Sequence, residues 1–221
     1  MDLPATSLIC IHVMEYLKLY LRIKDIVTTH AGLGNRSWCF FINSRTDIVD
    51  SGQAWAMLGF VQTYQWTREP GFLETATSLA DLFSTRLSRM SCEFPFVPPW
   101  DFDAPFEPDA PVLRDASAGM IAANALLLLH QALQANSPYL DLMYRILQDT
   151  LSYCLSKDPA KFQMDDTGQI TVTDVSWDSI LMHSTVNNNE YALERYADLG
   201  LIYADYYFLE LGNKLLRMGL M

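Results

Sequence analysis

An all-α fold, in the form of an incomplete toroid of paired helices, is what this 221-residue sequence predicts. Three observations lead there. Apolar residues recur at helical spacing in long segments separated by short breakers. The segments come in pairs, a helix of small and apolar residues followed by an amphipathic one. The pair then recurs along the chain, and each such hairpin has an apolar face that only a neighbouring hairpin can cover. A closed ring of this kind takes roughly six pairs and well over 300 residues, and about half of that is present here.

The elements follow in order. Residues 7–28 have helical spacing, with Ile9, Val13, Tyr16, Leu17, Tyr20 and Leu21 on one broad face. Residues 29–51 lose the rhythm and read as loop, with a strand candidate at 38–42. From Gln53 the pattern is clean. "QAWAMLGFVQTYQWT" predicts a helix over 53–67, in which Ala54, Ala56 and Gly59 let a neighbour approach closely. "REPG" breaks the chain. A second helix is predicted over 72–90, with Leu73, Ala76, Leu79, Ala80, Phe83 and Leu87 inward. "VPPWDFDAPFEPDAPVLRDASA" (97–118) carries five prolines and reads as a stiff loop. "SAGMIAANALLLLHQAL" predicts a helix over 117–134. Ser137-Pro138 then fits an N-cap followed by a first-turn proline, and an amphipathic helix follows over 138–156. "KFQMDDTGQITVTDVSW" alternates on either side of Asp166-Thr167-Gly168, the pattern of a short hairpin. A last helix is expected over roughly 190–210.

Composition narrows the functions. The formal charge of −11 makes nucleic acid and anionic membrane unsuitable partners, because phosphate binding relies on Lys and Arg. Cys10, Cys39, Cys92 and Cys154 are scattered with no CxxC pair, so reduced, mostly buried thiols are expected and a zinc site is not. His12, His30, His130 and His183 show no metal-binding spacing, and no cofactor is expected. The N-terminus lacks the order of a signal peptide, and its apolar run is interrupted by His12, Glu15, Lys18, Arg22 and Lys24. A cytoplasmic protein is the expectation.

In a helical toroid the loops gather at one mouth, which makes three segments the candidates for a binding site. In 50–55, Gln53 offers a donor and acceptors and Trp55 a flat apolar face, a pairing that suits sugar rings. The same residues suit a plain helix start with Ser51 as N-cap and Trp55 in the core. In 97–115, Trp100, Asp101 and Asp103 supply an aromatic platform and two carboxylates, the usual equipment of glycosidases. Two apart in extended chain, however, the acids point to opposite sides. Asp115 suits a cap for the following helix, and Arg114 suits pairing with any of these acids. In 182–190, three consecutive asparagines suit tight turns and also hydroxyl recognition, with Asn187 the binding candidate. His183 is either a ligand or proton carrier, or a satisfied structural histidine.

Taken together and in this order, "SGQAWAMLGF…TYQWT", "PPWDFDAP…RDASA" followed by "AANALL", and "LMHSTVNNNEY…GLIYADYYFLELGNKLLR" resemble the unsaturated glucuronyl hydrolases, glycoside hydrolase family 88. The resemblance covers about residues 51–217. It implies the C-terminal part of an (α/α)6 barrel, with residues 1–50 a divergent or misjoined leader. It also implies hydrolysis of unsaturated uronic acid from the non-reducing end of lyase-generated oligosaccharides. In that chemistry an aspartic acid protonates the C4=C5 double bond, water adds at C5, and the hemiketal collapses to release the sugar. No metal or organic cofactor is implied. The family's arginine-glycine-glutamine-alanine-tryptophan motif stands here as Ser51-Gly52-Gln53-Ala54-Trp55. Trp55 takes the place of a sugar-lining tryptophan, and Ser51 that of a substrate-holding arginine. Where the family has a histidine-glutamine-glycine stretch, this chain has "CFFINSRTDIVD". The two essential aspartates of the family fall at or before the first residue, and Asp2, Asp25, Asp47 and Asp50 stand in no matching context. Asp101 and Asp103 remain the only, weak, catalytic candidates. Gln53, Trp55, Trp100, His183 and Asn187 are the expected contacts to an unsaturated uronic-acid oligosaccharide. Two readings stay open: an impaired hydrolase, and a non-catalytic helical carbohydrate-binding or interaction module derived from the same barrel.

Overall fold

A computed structural model describes residues 50–104, 111–133, 137–157, 161–174, 178–189 and 193–220. All of these residues belong to one unit of the chain, residues 47–221. The helix over 7–28, the strand at 38–42 and the leader over 1–50 fall outside them, apart from Asp50.

Among the described residues are five helices and one hairpin: α1 (Asp50–Thr67), α2 (Pro70–Leu87), α3 (Ala116–Leu133), α4 (Tyr139–Tyr153), β1 (Lys161–Met164), β2 (Ile170–Asp174) and α5 (Ile202–Met218). α1 and α2 form one antiparallel pair, and α3 and α4 the next. α3 lies at the centre, packed against α1, α4 and α5 and more lightly against α2. Every residue from Ala116 to Leu129 is buried, which requires small and aliphatic side chains on all sides. Among the described residues α3 is also the one helix long and apolar enough to cross a bilayer, and here it is the core of the fold. α2 and α4 bury one stripe each: Phe72, Ala76, Leu79, Ala80, Phe83 and Leu87 on α2, and Tyr139, Leu142, Met143, Ile146 and Thr150 on α4. A hydrogen bond of 2.7 Å from the Tyr139 hydroxyl to Asp81 joins these two helices. The architecture is thus the expected all-α one, an incomplete set of toroid hairpins.

The hairpin pairs antiparallel with Phe162 opposite Val172 and Met164 opposite Ile170, all four exposed on one face. Its turn is held by Asp165, whose side chain accepts the amides of Thr167 and Gln169 and the Thr167 hydroxyl, with Gly168 at positive φ.

Four expectations need correction. The last helix starts at Ile202, not near 190, because residues 193–201 pair elsewhere: Ser184 bridges Leu199, and Asn187 bridges Tyr196. Non-local pairing overrides a weak local helical preference there, and the positive φ of Asp198 breaks any helical run. The helix then continues to Met218, where Gly219 in the left-handed region ends it and Leu220 N–H reaches back to Leu215 O at 3.0 Å. Pro138, not Ser137, occupies the cap position of α4. Ser137 acts from one residue earlier, its Oγ accepting the Tyr139 amide at 3.2 Å. Ser51 lies inside α1 and is no N-cap. Finally, Cys154 is buried as expected but Cys92 is exposed.

Candidate functional site

The head of α3 gathers two of the three candidate segments. Leu113–Asp115 is non-helical chain leading into Ala116, the first residue of α3, and the free backbone groups here find partners in the loops. Trp100 N–H donates to Leu113 O at 3.0 Å, Asp115 N–H to Pro98 O at 2.9 Å, and Ala116 N–H to His183 O at 3.0 Å. Pro99 and Arg114 form an isolated bridge. Arg114 extends the stitching: its guanidinium donates to Val97 O at 2.8 Å, Glu93 O at 3.4 Å and Cys92 Sγ at 3.0 Å. It therefore binds carbonyls and a thiol where pairing with acids was expected. Gly119 makes room for this crossing, since a Cβ there would lie 3.2 Å from Pro98 Cδ.

At the centre of the junction is the Asp115 carboxyl. It caps α3 as expected, Oδ1 accepting the Ser117 amide at 3.0 Å and the Ser117 hydroxyl at 2.6 Å. What the sequence did not disclose is its complete burial. Burial raises this carboxyl to about 6, against the opposing pull of the Ser117 hydroxyl and the amides of Ala118, Ser117 and Thr185. Tyr203 of α5 faces the same cluster, its phenol raised by burial and by the Asp115 charge.

The loop acids are engaged in turns and ion pairs. Asp101 Oδ1 accepts the Asp103 amide at 2.8 Å, an Asx turn. Asp103 pairs with Arg86 at 3.2 Å, and Arg86 in turn lies over the Phe102 ring. Trp100 is buried. His183 sits at positive φ, its Nδ1 2.6 Å from Asp198 and its ring stacked 4.5 Å from Tyr153, which stacks in turn on Phe94. The imidazole is braced on both sides while its carbonyl holds the head of α3. Asn187 Oδ1 accepts the Asn189 amide at 3.0 Å.

The third segment behaves differently. Gln53 is buried and its amide donates to Leu79 O at 3.1 Å, tying α1 to α2. That bond engages its amide nitrogen in helix packing. Trp55 is half-buried and meets Tyr207 of α5 edge to face, with centroids 5.3 Å apart. The early turns of α1, α3 and α5 thus lie at one end of the unit: Trp55 against Tyr207, and Ser117 against Tyr203. Among the described residues no group of three or more His, Cys, Asp or Glu side chains is placed to hold a metal ion.

No protein-family model matches the chain. An unsaturated glucuronyl hydrolase of Formosa agariphila is 31% identical over 205 residues, covering 90% of this chain and 41% of its own length. Among solved structures, an unsaturated glucuronyl hydrolase specific for heparin matches 78% of this chain and 40% of that chain, at a TM-score of 0.57 and 29% identity. This chain resembles part of an unsaturated glucuronyl hydrolase. The unsaturated glucuronyl hydrolase from Bacillus sp. GL1, described as responsible for the degradation of glycosaminoglycan, agrees at a TM-score of 0.54 and 25% identity over 76% of this chain and 39% of that one. The chain therefore spans about two fifths of the length of the curated relative it matches. Within the hydrolase-like part, the Ser51–Trp55 run opens α1, and the WDFDAP and RDASA runs meet at the head of α3.

Proposed function

We propose that this chain holds an unsaturated uronic-acid oligosaccharide at the end where α1, α3 and α5 begin, and that it turns such a sugar over far more slowly than a complete relative. The observation that carries this reading is the state of its carboxylates. Asp101 is engaged by the Asp103 amide and Asp103 by Arg86, while Asp115 is sealed beneath Ser117. On this reading none of the three serves as the proton donor to a sugar. Loss of a general acid costs about 10²–10⁴-fold in rate. The arginine that would hold the uronate carboxylate is Ser51, which cannot offer a bidentate cation. Trp55 keeps a half-exposed ring, and stacking on a sugar face needs no charge. On this reading residues 1–50 are a divergent leader. The non-catalytic binding module is the limiting case of the same proposal.

The test is to mix the chain with an unsaturated uronyl disaccharide and follow two signals: loss of the ultraviolet absorbance of the C4=C5 bond, and tryptophan fluorescence on binding. Binding without appreciable absorbance loss, abolished by Trp55→Ala, is the expected result. Turnover matching that of a complete relative would overturn the impaired reading, and Asp101→Asn and Asp103→Asn would then show whether the 97–104 loop supplies the proton.

A further inference from the structure

Three aromatic rings meet at the end of the fold where α1 and α5 begin. Trp55 touches Tyr207 edge to face with centroids 5.3 Å apart, and Tyr207 touches Tyr206 in the same way at 5.0 Å. The two steps bound the separation of Trp55 and Tyr206 at about 10 Å. Tyr206 is 58% exposed, and Ile202, one turn earlier on α5, is exposed beside it. An edge-to-face contact covers at most one face of a ring, so one face of Tyr206 lies outside it. A single exposed aromatic is ordinary on any surface. Tyr206 differs in being joined to Trp55 through ring contacts, and in how firmly its backbone is held.

Asn124 lies fully buried in α3 among small and aliphatic side chains. A buried amide is costly unless its hydrogen bonds are made. Its Nδ2 donates to Met120 O at 3.0 Å and across to Tyr207 O at 2.8 Å, while its Oδ1 accepts Lys214 Nζ at 2.9 Å. Lys214 is held in turn by Glu210 at 3.2 Å. On the preceding side of Tyr206, Asp205 accepts the amides of Ile180 and Leu181 at 2.9 Å each. The sequence neighbours of Tyr206 are thus tied to α3 and to the 180–181 chain, and the phenol stands on a fixed base. A ring on a rigid element loses little freedom when a ligand stacks on it, which favours binding. Its flat apolar face suits the C–H face of a sugar, and its distance from Trp55 suits two steps along a pyranose chain. We propose that Tyr206 is a second sugar platform, stacking on the third pyranose ring of an unsaturated uronic-acid oligosaccharide whose terminal ring lies on Trp55. The inference rests on the sugar-binding reading and adds to it a preference for longer oligosaccharides over disaccharides.

The test titrates the full 221-residue chain with an unsaturated uronyl disaccharide and with a tetrasaccharide carrying the same unsaturated end, each affinity being read from tryptophan fluorescence. The expected result is a preference for the tetrasaccharide of roughly fivefold, the worth of one stacked ring. Tyr206→Phe should keep that preference, because it keeps the ring. Tyr206→Leu, which keeps apolar bulk without a flat face, and Tyr206→Ala should bring the ratio of affinities close to one. Leu216→Ala, exposed farther along α5, should leave the ratio unchanged. Tyr206 is exposed, so the circular dichroism of each variant should match that of the parent. Equal affinity of the parent for the two sugars, or a preference that Tyr206→Leu and Tyr206→Ala both retain, would overturn the subsite while leaving disaccharide binding at Trp55 in place. Failure of the disaccharide itself to bind would instead remove the reading beneath it, and the subsite with it.

Discussion

Asp115 shows how one side chain can be read correctly and still be misjudged. An aspartate two positions before a serine at a helix start is a cap in any sequence, and it is a cap here. Its burial depends on three segments converging from far apart in the chain, which no local pattern encodes. The burial has a measurable consequence. The folded carboxyl lies near 6 against an ordinary value of 3.8, so folding favours its protonated form. Stability from this group is therefore fully present below about pH 4 and is lost as pH rises to 6, by about 3 kcal/mol. Urea melts of the parent and of Asp115→Asn between pH 4 and 7 should converge at the acid end and separate toward neutrality, with the variant gaining. Parallel curves would show that the carboxyl is solvated after all. The cysteines provide a second check at this scale. Burial above all pushes the Cys154 thiol up to about 12, while Cys92 is exposed. Iodoacetamide at pH 8 should label Cys92 in the native chain and leave Cys154 unmodified until denaturant is added, as peptide mass spectrometry would report.

At the scale of elements, the helices of the two hairpins were legible because their apolar spacing is long and regular; α1 to α4 fall within three residues of expectation. The last helix was not, because its first expected turns are made of residues whose backbone partners lie in 184–187. Gln53 and Trp55 show the same limit at a site. Both were expected to face a sugar. Two residues apart on one helix, they point about 200° from each other, so Gln53 reaches Leu79 and Trp55 reaches Tyr207. Two substitutions test the helix packing. Tyr139→Phe removes the hydroxyl that joins α4 to Asp81 of α2 and should lower stability by about 1 kcal/mol in a denaturant melt. Ala122→Leu inserts three carbons into a position with no exposure and should cost about 1–3 kcal/mol. An Ala122→Leu chain as stable as the parent would mean that α3 is looser than its burial indicates.

For the whole molecule, the surface tells as much as the core. Besides α5, the hairpin presents Phe162, Met164, Ile170 and Val172 together on one exposed face. Phe162→Lys with Ile170→Lys should reduce binding of a hydrophobic dye and raise solubility, with stability changed by less than about 0.5 kcal/mol because neither side chain is buried. A large drop in melting temperature would show that this face is covered in solution.

The junction at the head of α3 also sets the order in which the parts of this protein can come into being. The pairs α1–α2 and α3–α4 are joined by short connections and close at little entropic cost, whereas Ala116 cannot find His183 until the hairpin and the intervening chain have been made and folded back. During synthesis the helices should therefore precede the mouth, and Asp115 should remain open to water until the last quarter of the chain arrives. A product halted before His183 would carry much of the helical signal but lack the contact that closes the head of α3. In pulsed hydrogen exchange, the amides of Ala116 and Ser184 should gain protection together, after those within α3.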